Sequence, residues 1–237
     1  MPKAKKKQYS DILLYNLKFH QKLYRFIKVF IDFCIGLIGL ILCLLPFVFI
    51  GIAIKIDSKG PVFFRQKRIG KKGKIFYCFK FRTMTMDAKH DIAGYQYDNV
   101  ENYITRVGKF LRKTSLDELP QLFNLVNGTM SLIGYRPSQP SEIDLNKTRE
   151  AFNMYQIRPG VTGWAQVNGR DRIAAIPVLK AKYDGYYLIH FSLLMDIKVF
   201  MVSIIKVLNH SDVEEGRVTN CHIEDNIGNE VSSKENI

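Results

Sequence analysis

The sequence has few cysteines and lacks the short motifs that most often mark phosphate or metal chemistry. Its four cysteines stand at positions 34, 43, 78 and 221, and no two of them have the spacing of a metal-ligand pair. It contains no Walker loop, no ordered dinucleotide fingerprint and no zinc pattern. These absences exclude the commonest nucleotide and zinc motifs, and we interpret the cysteines as packing residues in a reducing compartment.

Acidic residues are also scarce, because 22 Asp and Glu stand against 35 Lys and Arg, which gives a formal charge of +13. Residues 1–28 contain eight basic side chains and one acid, and residues 55–90 contain eleven and two, whereas the tail after Ser211 is acidic. A basic excess favours anionic partners such as phosphorylated substrates, lipid headgroups or nucleic acid, without choosing among them. The positive charge therefore brackets one segment of the chain.

That segment is a run of 22 uncharged residues from Phe33 to Ile54, which is long enough to cross a bilayer. Basic residues mark cytoplasmic flanks, yet they are dense on both sides of this run, so a spanning helix would break the charge rule on one side. Pro46 removes a helical hydrogen bond near the middle of the run. We therefore favour a re-entrant helix broken near Pro46 over a straight span. We expect no cleavable signal peptide, because the apolar run begins late.

Composition divides the chain into four parts. Residues 1–28 form a basic segment, in which residues 9–28 are predicted to be an amphipathic helix on an anionic leaflet, with a solvent-exposed helix as the alternative. Residues 29–56 hold the re-entrant helix, and residues 57–210 form a compact cytoplasmic domain. The acidic tail, residues 211–237, is expected to be disordered.

The predicted fold class is α/β, mostly helical with a small β-hairpin or sheet. Residues 60–70 and 74–84 are β-prone runs separated by Gly and Lys, which is typical of a hairpin. Lys80 and Arg82 alternate with phenylalanines, so they should share one face of a strand, with an ordinary solvated face as the alternative. Helices are expected over residues 106–112, after Pro140, over 178–189 and over 192–208, the last lying partly in the membrane interface.

Two carboxylates, Asp117 and Glu118, lie between two arginines, Arg112 and Arg136. Ser115 and Glu118 have the spacing of a capping box, so we predict a helix that begins here and holds both carboxylates in its first turn. The alternative is an ordinary helix start without a functional role. The arginines on both sides favour the functional interpretation.

Phosphate is the ligand that these residue types share. Arginine donates paired hydrogen bonds to phosphate oxygens, and a carboxylate can act as a nucleophile that divides one displacement into two. Adjacent carboxylates can also share a divalent cation with a pyrophosphate, and Mg²⁺ is the usual ion. Together with the membrane segment, this chemistry predicts a reaction between a soluble polyanion and a lipid phosphate.

Several blocks of sequence, in this order, resemble the bacterial sugar transferases, the monotopic polyprenyl-phosphate phosphoglycosyl transferases that start glycan assembly on a lipid carrier. The resemblance covers about residues 22–208. The matching blocks are Gly60-Pro61-Val62-Phe63-Phe64 with Gln66, Arg68 and Gly70; Lys80–Met84; Ser115–Gln121; Met130–Gly134 with Arg136-Pro137; and Arg158–Gly163.

The resemblance implies that Asp117 is the nucleophile on the sugar-linked phosphate of a UDP-sugar, releasing UMP and leaving a covalent phosphosugar. Undecaprenyl phosphate, a polyprenyl phosphate, would then attack this intermediate. Glu118 is implied as the second member of the dyad, in metal or acid/base support, and Mg²⁺ as the cofactor on Asp117 and Glu118. The implied phosphate- or nucleotide-binding residues are Lys80, Arg82, Arg112 and Arg136.

The resemblance also implies the re-entrant helix and a bacterial inner-membrane location, with the active site facing the cytoplasm. Such an enzyme would catalyse the first membrane step of capsule, exopolysaccharide, O-antigen or glycoprotein glycan synthesis, with membrane lipids as partners and no nucleic acid. Two departures from the family pattern stand out: Tyr135 where many members have Pro, and residues 173–177. We therefore transfer no sugar preference.

Two other functions stay open at this point. One is a non-enzymatic membrane-anchored protein whose basic face binds anionic lipid or nucleic acid. The other is an enzyme that transfers the sugar phosphate in a single step through a ternary complex. The sequence names neither the sugar nor the oligomeric state.

Overall fold

The computed structural model describes residues 14–88, 100–168 and 176–208. Its helices are α1 Phe19–Leu42, α2 Leu44–Asp57, α3 Arg106–Lys113, α4 Gln121–Val126, α5 Ile143–Ala151, α6 Trp164–Val167, α7 Pro177–Ile189 and α8 Leu193–Leu208. Its strands are β1 Phe63–Ile69, β2 Ile75–Phe81, β3 Ser131–Ile133 and β4 Gly160–Thr162. The described chain is therefore mostly helical with small sheets, as expected for this form of α/β fold. The predictions for residues 1–13, 173–175 and 211–237 fall outside the described residues.

The apolar segment forms a bent pair of helices, α1 and α2. In the part of the chain that the structure describes, no single helix is long and apolar enough to cross a membrane, but this pair together has the required length and composition, with a bend of 61°. The bend lies at Cys43, so the predicted position near Pro46 is corrected by three residues. Pro46 lies in the first turn of α2, where its missing N–H is tolerated. Its ring would clash with the carbonyl of Leu42 in a continuous helix, so α1 ends there.

The chain before α1 is held against the rest of the domain. The amphipathic helix predicted from residue 9 is wrong for residues 14–18, which precede the first turn of α1. Leu17 is buried in the main core. The Gln21 side chain accepts a hydrogen bond from the Lys18 N–H at 2.9 Å and donates one to the Ile189 carbonyl at 2.8 Å. These bonds fix the start of α1 to the end of α7.

Helix α1 has one face on the domain and one face in solvent. Gly36 and Gly39 lie on the inner face, where an added Cβ would be 2.8 Å from the Leu125 side chain and 2.9 Å from that of Leu122. At Gly36, where the Val126 backbone nitrogen would also lie 3.2 Å from the added atom, glycine is needed for this approach to α4. The outer faces of α1 and α2 expose large apolar side chains, including Phe26, Phe30, Ile38, Leu42, Leu45, Phe49 and Ile56. An apolar surface of this extent marks an interaction site.

Strands β1 and β2 form the predicted hairpin, which the structure confirms. Phe63 lies opposite Phe81 and Ile69 opposite Ile75 in an antiparallel register. Side chains alternate between faces, so Phe76, Cys78 and Lys80 point the same way. The first two are buried against Leu125 and Met130, and Lys80 continues this inner face toward the end of the strand.

Asn124 attaches α4 to the backbone of β2. Its side chain is fully buried, accepts a hydrogen bond from the Phe79 N–H at 3.0 Å and donates one to the Tyr77 carbonyl at 2.8 Å. These two backbone groups flank Cys78, two residues before Lys80. The bonds thereby fix the strand that carries Lys80 against the helix that follows Glu118.

The short parallel pair β3 and β4 depends on glycine. An added Cβ on Gly163 would lie 1.9 Å from the Gly134 carbonyl oxygen, and one on Gly160 would lie 2.1 Å from the Gly134 nitrogen. The glycines of the Arg158–Gly163 block therefore allow backbone segments to pack together.

Helix α8 is joined to α1 through a buried carboxylate. Asp196 accepts hydrogen bonds from the hydroxyls of Tyr24 at 2.6 Å and Tyr187 at 2.5 Å, and it pairs with Lys28. The opposite side of α8 is apolar and exposed, with Leu194 79% accessible. The helices predicted over 106–112, after Pro140, over 178–189 and over 192–208 are confirmed as α3, α5, α7 and α8.

Candidate active site

The two carboxylates lie in a tight turn rather than in the first turn of a helix. Ser115 adopts a left-handed conformation with φ of 57° and makes no capping bond, so the predicted capping box is wrong. Residues 116–118 form a single 3₁₀ turn, and α4 begins only at Gln121, after Pro120. The physical reason is that the Glu118 carboxylate binds two basic side chains and not a backbone N–H.

Those two basic side chains are Lys80 and Arg136. Lys80 Nζ lies 2.7 Å from Glu118 Oε1, and Arg136 donates to the same oxygen at 2.8 Å. Lys80 comes from the inner face of β2, and Arg136 follows β3, so residues from three separate segments meet here. Glu118 is mostly buried, and the charges of Arg136 and Lys80 outweigh the effect of burial and hold its pKa well below the usual range.

Asp117 is less engaged than its neighbour. Its closest described basic partner is Lys80, at 3.9 Å from Oδ2. Burial and the adjacent Glu118 raise the pKa of Asp117, whereas Lys80, Arg112 and Arg136 lower it, and the net direction is upward. The dyad thus contains one carboxylate held as a fixed anion and one that is more basic and less restrained. Opposite pKa shifts in neighbouring groups are typical of divided catalytic roles.

The structure places the other two predicted phosphate-binding residues differently. Arg112 donates to Thr83 Oγ1 at 3.0 Å and lies close enough for its charge to act on Asp117. The described contacts of Arg82 are instead with the end of α2, where its guanidinium donates to the Ser58 carbonyl at 2.8 Å and to the carbonyl of the next residue. Lys80 and Arg82 were predicted to share one face of a strand, but only Lys80 contacts the dyad. Phosphate binding by these residues remains a prediction.

Arg68 lies behind the site, and its position there was not predicted from the sequence. It lies on β1 opposite Phe76, on the inner face of the hairpin that also carries Lys80. Its guanidinium donates to the Pro137 carbonyl at 3.0 Å and to Gln66 Oε1 at 2.5 Å. The alternation of β1 could have indicated this face, but it could not show which loop would lie against it.

Tyr135, the departure from the family pattern, packs into the core. It is fully buried, its ring centroid is 5.9 Å from that of Tyr155, and the Arg149 guanidinium lies 4.9 Å from its centroid. Its backbone carbonyl accepts from the Gly160 N–H at 2.9 Å. The Tyr135 side chain therefore points away from the side of the loop that carries Arg136 onto Glu118.

An apolar groove of about 470 Å³ opens along the outer side of α2 and the start of β1. Its lining residues include Phe47, Val48, Ile52, Val62 and Phe63, with Lys55 as the basic member. Phe47 and Val62 also pack in the cluster that contains Leu116 and Leu119, which flank the dyad in sequence. One apolar cluster therefore separates the groove from the carboxylates.

Known proteins resemble this chain over most of its length. It is 40% identical over 164 residues to a UDP-glucose:undecaprenyl-phosphate glucose-1-phosphate transferase of Xanthomonas campestris pv. campestris, covering 67% of this chain and 34% of the relative. It is 38% identical over 189 residues to a UDP-N-acetylgalactosamine-undecaprenyl-phosphate N-acetylgalactosaminephosphotransferase of Aeromonas hydrophila, covering 78% and 44%. The chain is also 34% identical to the galactosyl transferase CpsE of Streptococcus agalactiae, over 84% of this chain and 46% of that protein.

The chain thus spans between a third and a half of the length of these curated relatives. A family model described as bacterial sugar transferase matches residues 23–210, a region that includes α1 from residue 23 onward, all of α2, the dyad and the four described strands. This match covers the same blocks from which the resemblance was inferred. The chain belongs to the bacterial sugar transferase family.

Proposed function

We propose that this protein transfers a sugar 1-phosphate from a UDP-sugar to undecaprenyl phosphate and releases UMP, through a covalent phosphosugar on Asp117. The observation that carries the proposal is the division within the dyad. Glu118 is held by Lys80 and Arg136, whereas Asp117 is more basic and has only a distant basic partner among the described contacts. The printed names of the relatives support the UDP-sugar and undecaprenyl-phosphate substrates.

In the first step, an Asp117 carboxylate oxygen attacks the phosphorus that carries the sugar. The bond from this phosphorus to the bridging oxygen breaks, and UMP leaves with that oxygen and its electron pair. Arg136, Lys80 and Arg112 would bind the pyrophosphate oxygens, because guanidinium and ammonium groups donate charge-assisted hydrogen bonds to them. Glu118 would keep Lys80 and Arg136 in place as the substrate enters.

In the second step, an oxygen of polyprenyl phosphate attacks the same phosphorus. The bond to Asp117 breaks, which regenerates the carboxylate and yields a polyprenyl diphosphate sugar. The apolar groove is the proposed place for the isoprenoid chain, since its wall is continuous with the cluster around Leu116 and Leu119. Lys55 adds a basic side chain to the groove, which favours an anionic lipid surface.

Mg²⁺ is the proposed cofactor. Asp117 and Glu118 are the proposed protein ligands, and among the described residues no group of three His, Cys, Asp or Glu side chains offers another site. This donor set fits Mg²⁺, which commonly binds one or two carboxylates and completes its shell with substrate phosphates and water. When bound, the ion would neutralise charge on the pyrophosphate. The protein's own cations act beside it.

The proposed location is the cytoplasmic face of the bacterial inner membrane, with α1 and α2 entering and leaving on the same side. The 61° bend and the exposed apolar faces of both helices support this arrangement. So do the basic residues on both sides of the apolar run, since such residues favour the cytoplasmic side. This reaction would be the first committed step in the synthesis of a surface or protein glycan.

The first half-reaction tests the proposal directly. Purified protein in detergent is incubated with a panel of UDP-sugars without lipid acceptor, and UMP release and the mass of the intact protein are measured. We expect one UDP-sugar to give a stoichiometric burst of UMP and a phosphosugar adduct on Asp117. The Asp117→Asn variant should give neither.

The other outcomes separate the alternatives. If UMP appears only when undecaprenyl phosphate is present and no adduct forms, the single-step ternary mechanism replaces this one. If no UDP-sugar yields UMP with or without the acceptor, the non-enzymatic lipid-binding function gains support. The panel also identifies the sugar. The relatives do not identify it, because their printed names specify different sugars.

A further inference from the structure

The segment that carries Arg136 is held by a buried group of charges on its far side. Arg68 donates to the Pro137 carbonyl at 3.0 Å, and the Ile69 N–H donates to the Ser138 carbonyl at 2.9 Å. Two neighbouring residues of β1 therefore bind two consecutive carbonyls directly after Arg136. Through these two bonds, the hairpin fixes the direction in which the Arg136 side chain leaves the backbone.

Glu142 completes this support. One of its oxygens, Oε2, accepts from the Gln139 N–H at 2.6 Å and lies 3.8 Å from Arg68, and the other lies 3.6 Å from Lys180. Charges of alternating sign thus extend from Lys180 through Glu142 to Arg68, behind the segment that presents Arg136 to Glu118. The side chains of Arg68, Glu142 and Lys180 are all at most 15% exposed.

The burial of Arg68 at this position by itself lowers the stability of the fold. Its guanidinium is buried, and burial together with the nearby charge of Arg136 lowers its pKa. A buried cation beside another cation destabilises a fold unless hydrogen bonds and opposite charges compensate. Arg68 has such compensation from Gln66, Glu142 and the Pro137 carbonyl, and the last of these is backbone next to Arg136.

We infer that Arg68 is a positioning residue for donor binding, because through the Pro137 carbonyl it holds Arg136 in the orientation that reaches both Glu118 and a bound pyrophosphate. This inference rests on the proposed function. A planar guanidinium can bind Pro137 and Gln66 at once, whereas a lysine ammonium lacks this fork geometry. Arg68 touches neither the dyad nor, in this role, the substrate.

The test compares Arg68→Met and Arg68→Lys with Arg65→Met. Arg65 lies on the exposed face of the same strand, over the ring of Tyr77, and is the matched control. For each variant, UMP release without acceptor is measured over a range of UDP-sugar concentrations. We expect both Arg68 variants to raise KM for the UDP-sugar by roughly tenfold to a hundredfold, the usual effect of losing a hydrogen bond to a charged group. Arg65→Met should match the wild type.

The split between binding and rate distinguishes positioning from mere structural support. A positioning role predicts that KM for the UDP-sugar rises while the rate of UMP release at saturating UDP-sugar changes much less, whereas a merely structural role predicts less folded, active protein at an unchanged KM. Wild-type kinetics in Arg68→Met, or a loss that Arg68→Lys restores fully, would overturn the inference. If Arg68→Met does not fold, Gln66→Ala, which removes only the partner that orients Arg68, must raise KM in the same direction. Absence of UMP release from the wild type would instead refute the proposed function.

Discussion

A single carboxylate oxygen, Glu118 Oε1, accepts hydrogen bonds from Lys80 at 2.7 Å and from Arg136 at 2.8 Å. It thereby joins the end of β2 to the segment after β3, two parts of the chain more than fifty residues apart. Because both cations neutralise Glu118, they remain in place beside Asp117 without substrate. The site is therefore preorganised to receive an anion.

Replacing Glu118 with glutamine should move the acid limb of UMP release to lower pH. The charge of Glu118 raises the pKa of Asp117, so its removal lowers that pKa, and the freed Lys80 and Arg136 lower it further. The rate itself should fall about tenfold to a hundredfold, because the two cations lose their partner. Rates of the first half-reaction against pH measure both effects, with Glu150→Gln on the exposed surface of α5 as the control. An acid limb that moves upward would contradict the assignment.

Asn124→Ala should destabilise the fold and impair the site together. The substitution leaves the Phe79 N–H and the Tyr77 carbonyl without the partner that they have in the native protein, at a cost of about 3 kcal/mol. Chemical denaturation in detergent measures the loss in free energy of unfolding. Asn127→Ala, at an exposed amide that binds only its local turn, should cost less than about 1 kcal/mol. Equal losses in both variants would argue against the role of Asn124.

Substitution in the apolar groove should weaken the second half-reaction in proportion to the length of the acceptor. Phe63→Ser removes a ring that stacks 5.4 Å from Phe81 and lines the groove. We expect KM for undecaprenyl phosphate to rise about tenfold, whereas a short water-soluble prenyl phosphate should be affected much less, since burial of each further methylene contributes about 0.8 kcal/mol. UMP release without acceptor should be unchanged.

Leu194→Ser is the control for this prediction, because Leu194 is also apolar and exposed but lies on α8, outside the groove. If it raises KM as much as Phe63→Ser, the effect belongs to general membrane contact. The same conclusion follows if short and long acceptors are affected equally by Phe63→Ser.

Lys180 should make the stability of the protein rise between pH 8 and pH 10.5. Burial lowers its pKa from the ordinary value of 10.5 to about 8, so in this window the unfolded chain binds a proton that the folded chain does not. Stability then increases with pH, by linkage. The thermal midpoint of the wild type minus that of Lys180→Met, measured across this window, should therefore rise. A flat or falling difference would contradict the buried environment.

Cysteine labelling tests the proposed re-entrant topology. After replacement of Cys34, Cys43, Cys78 and Cys221, single cysteines are placed at Lys5 and Lys59, on the two sides of the apolar run. In inside-out vesicles a membrane-impermeant reagent should label both positions, and in intact cells it should label neither. Labelling of the two positions from opposite sides would establish a spanning segment.

The helical segments and the hairpin could be predicted because their signals are local. Alternating side chains in β1 and β2 and apolar periodicity in α7 and α8 report directly on local backbone conformation. The long apolar run and its break could be predicted for the same reason, although the break lies at Cys43, since a proline disturbs the turn before it. Several ordered motif blocks, including Asp117 and Glu118, indicated the family.

What the sequence by itself determined was therefore the hairpin, the longer helices, the apolar segment and the presence of two adjacent carboxylates. Only the tertiary structure decided which cations meet which carboxylate. Local spacing made Ser115 and Glu118 a capping box, but Glu118 instead binds Lys80 and Arg136, because charge-assisted hydrogen bonds from distant segments are stronger than a neutral capping bond. For a related reason, Arg82 contacts the end of α2 and not the dyad, whereas Arg68 contacts the segment that carries Arg136. Their roles depend on which backbone carbonyls the fold brings within reach, and no local pattern encodes that.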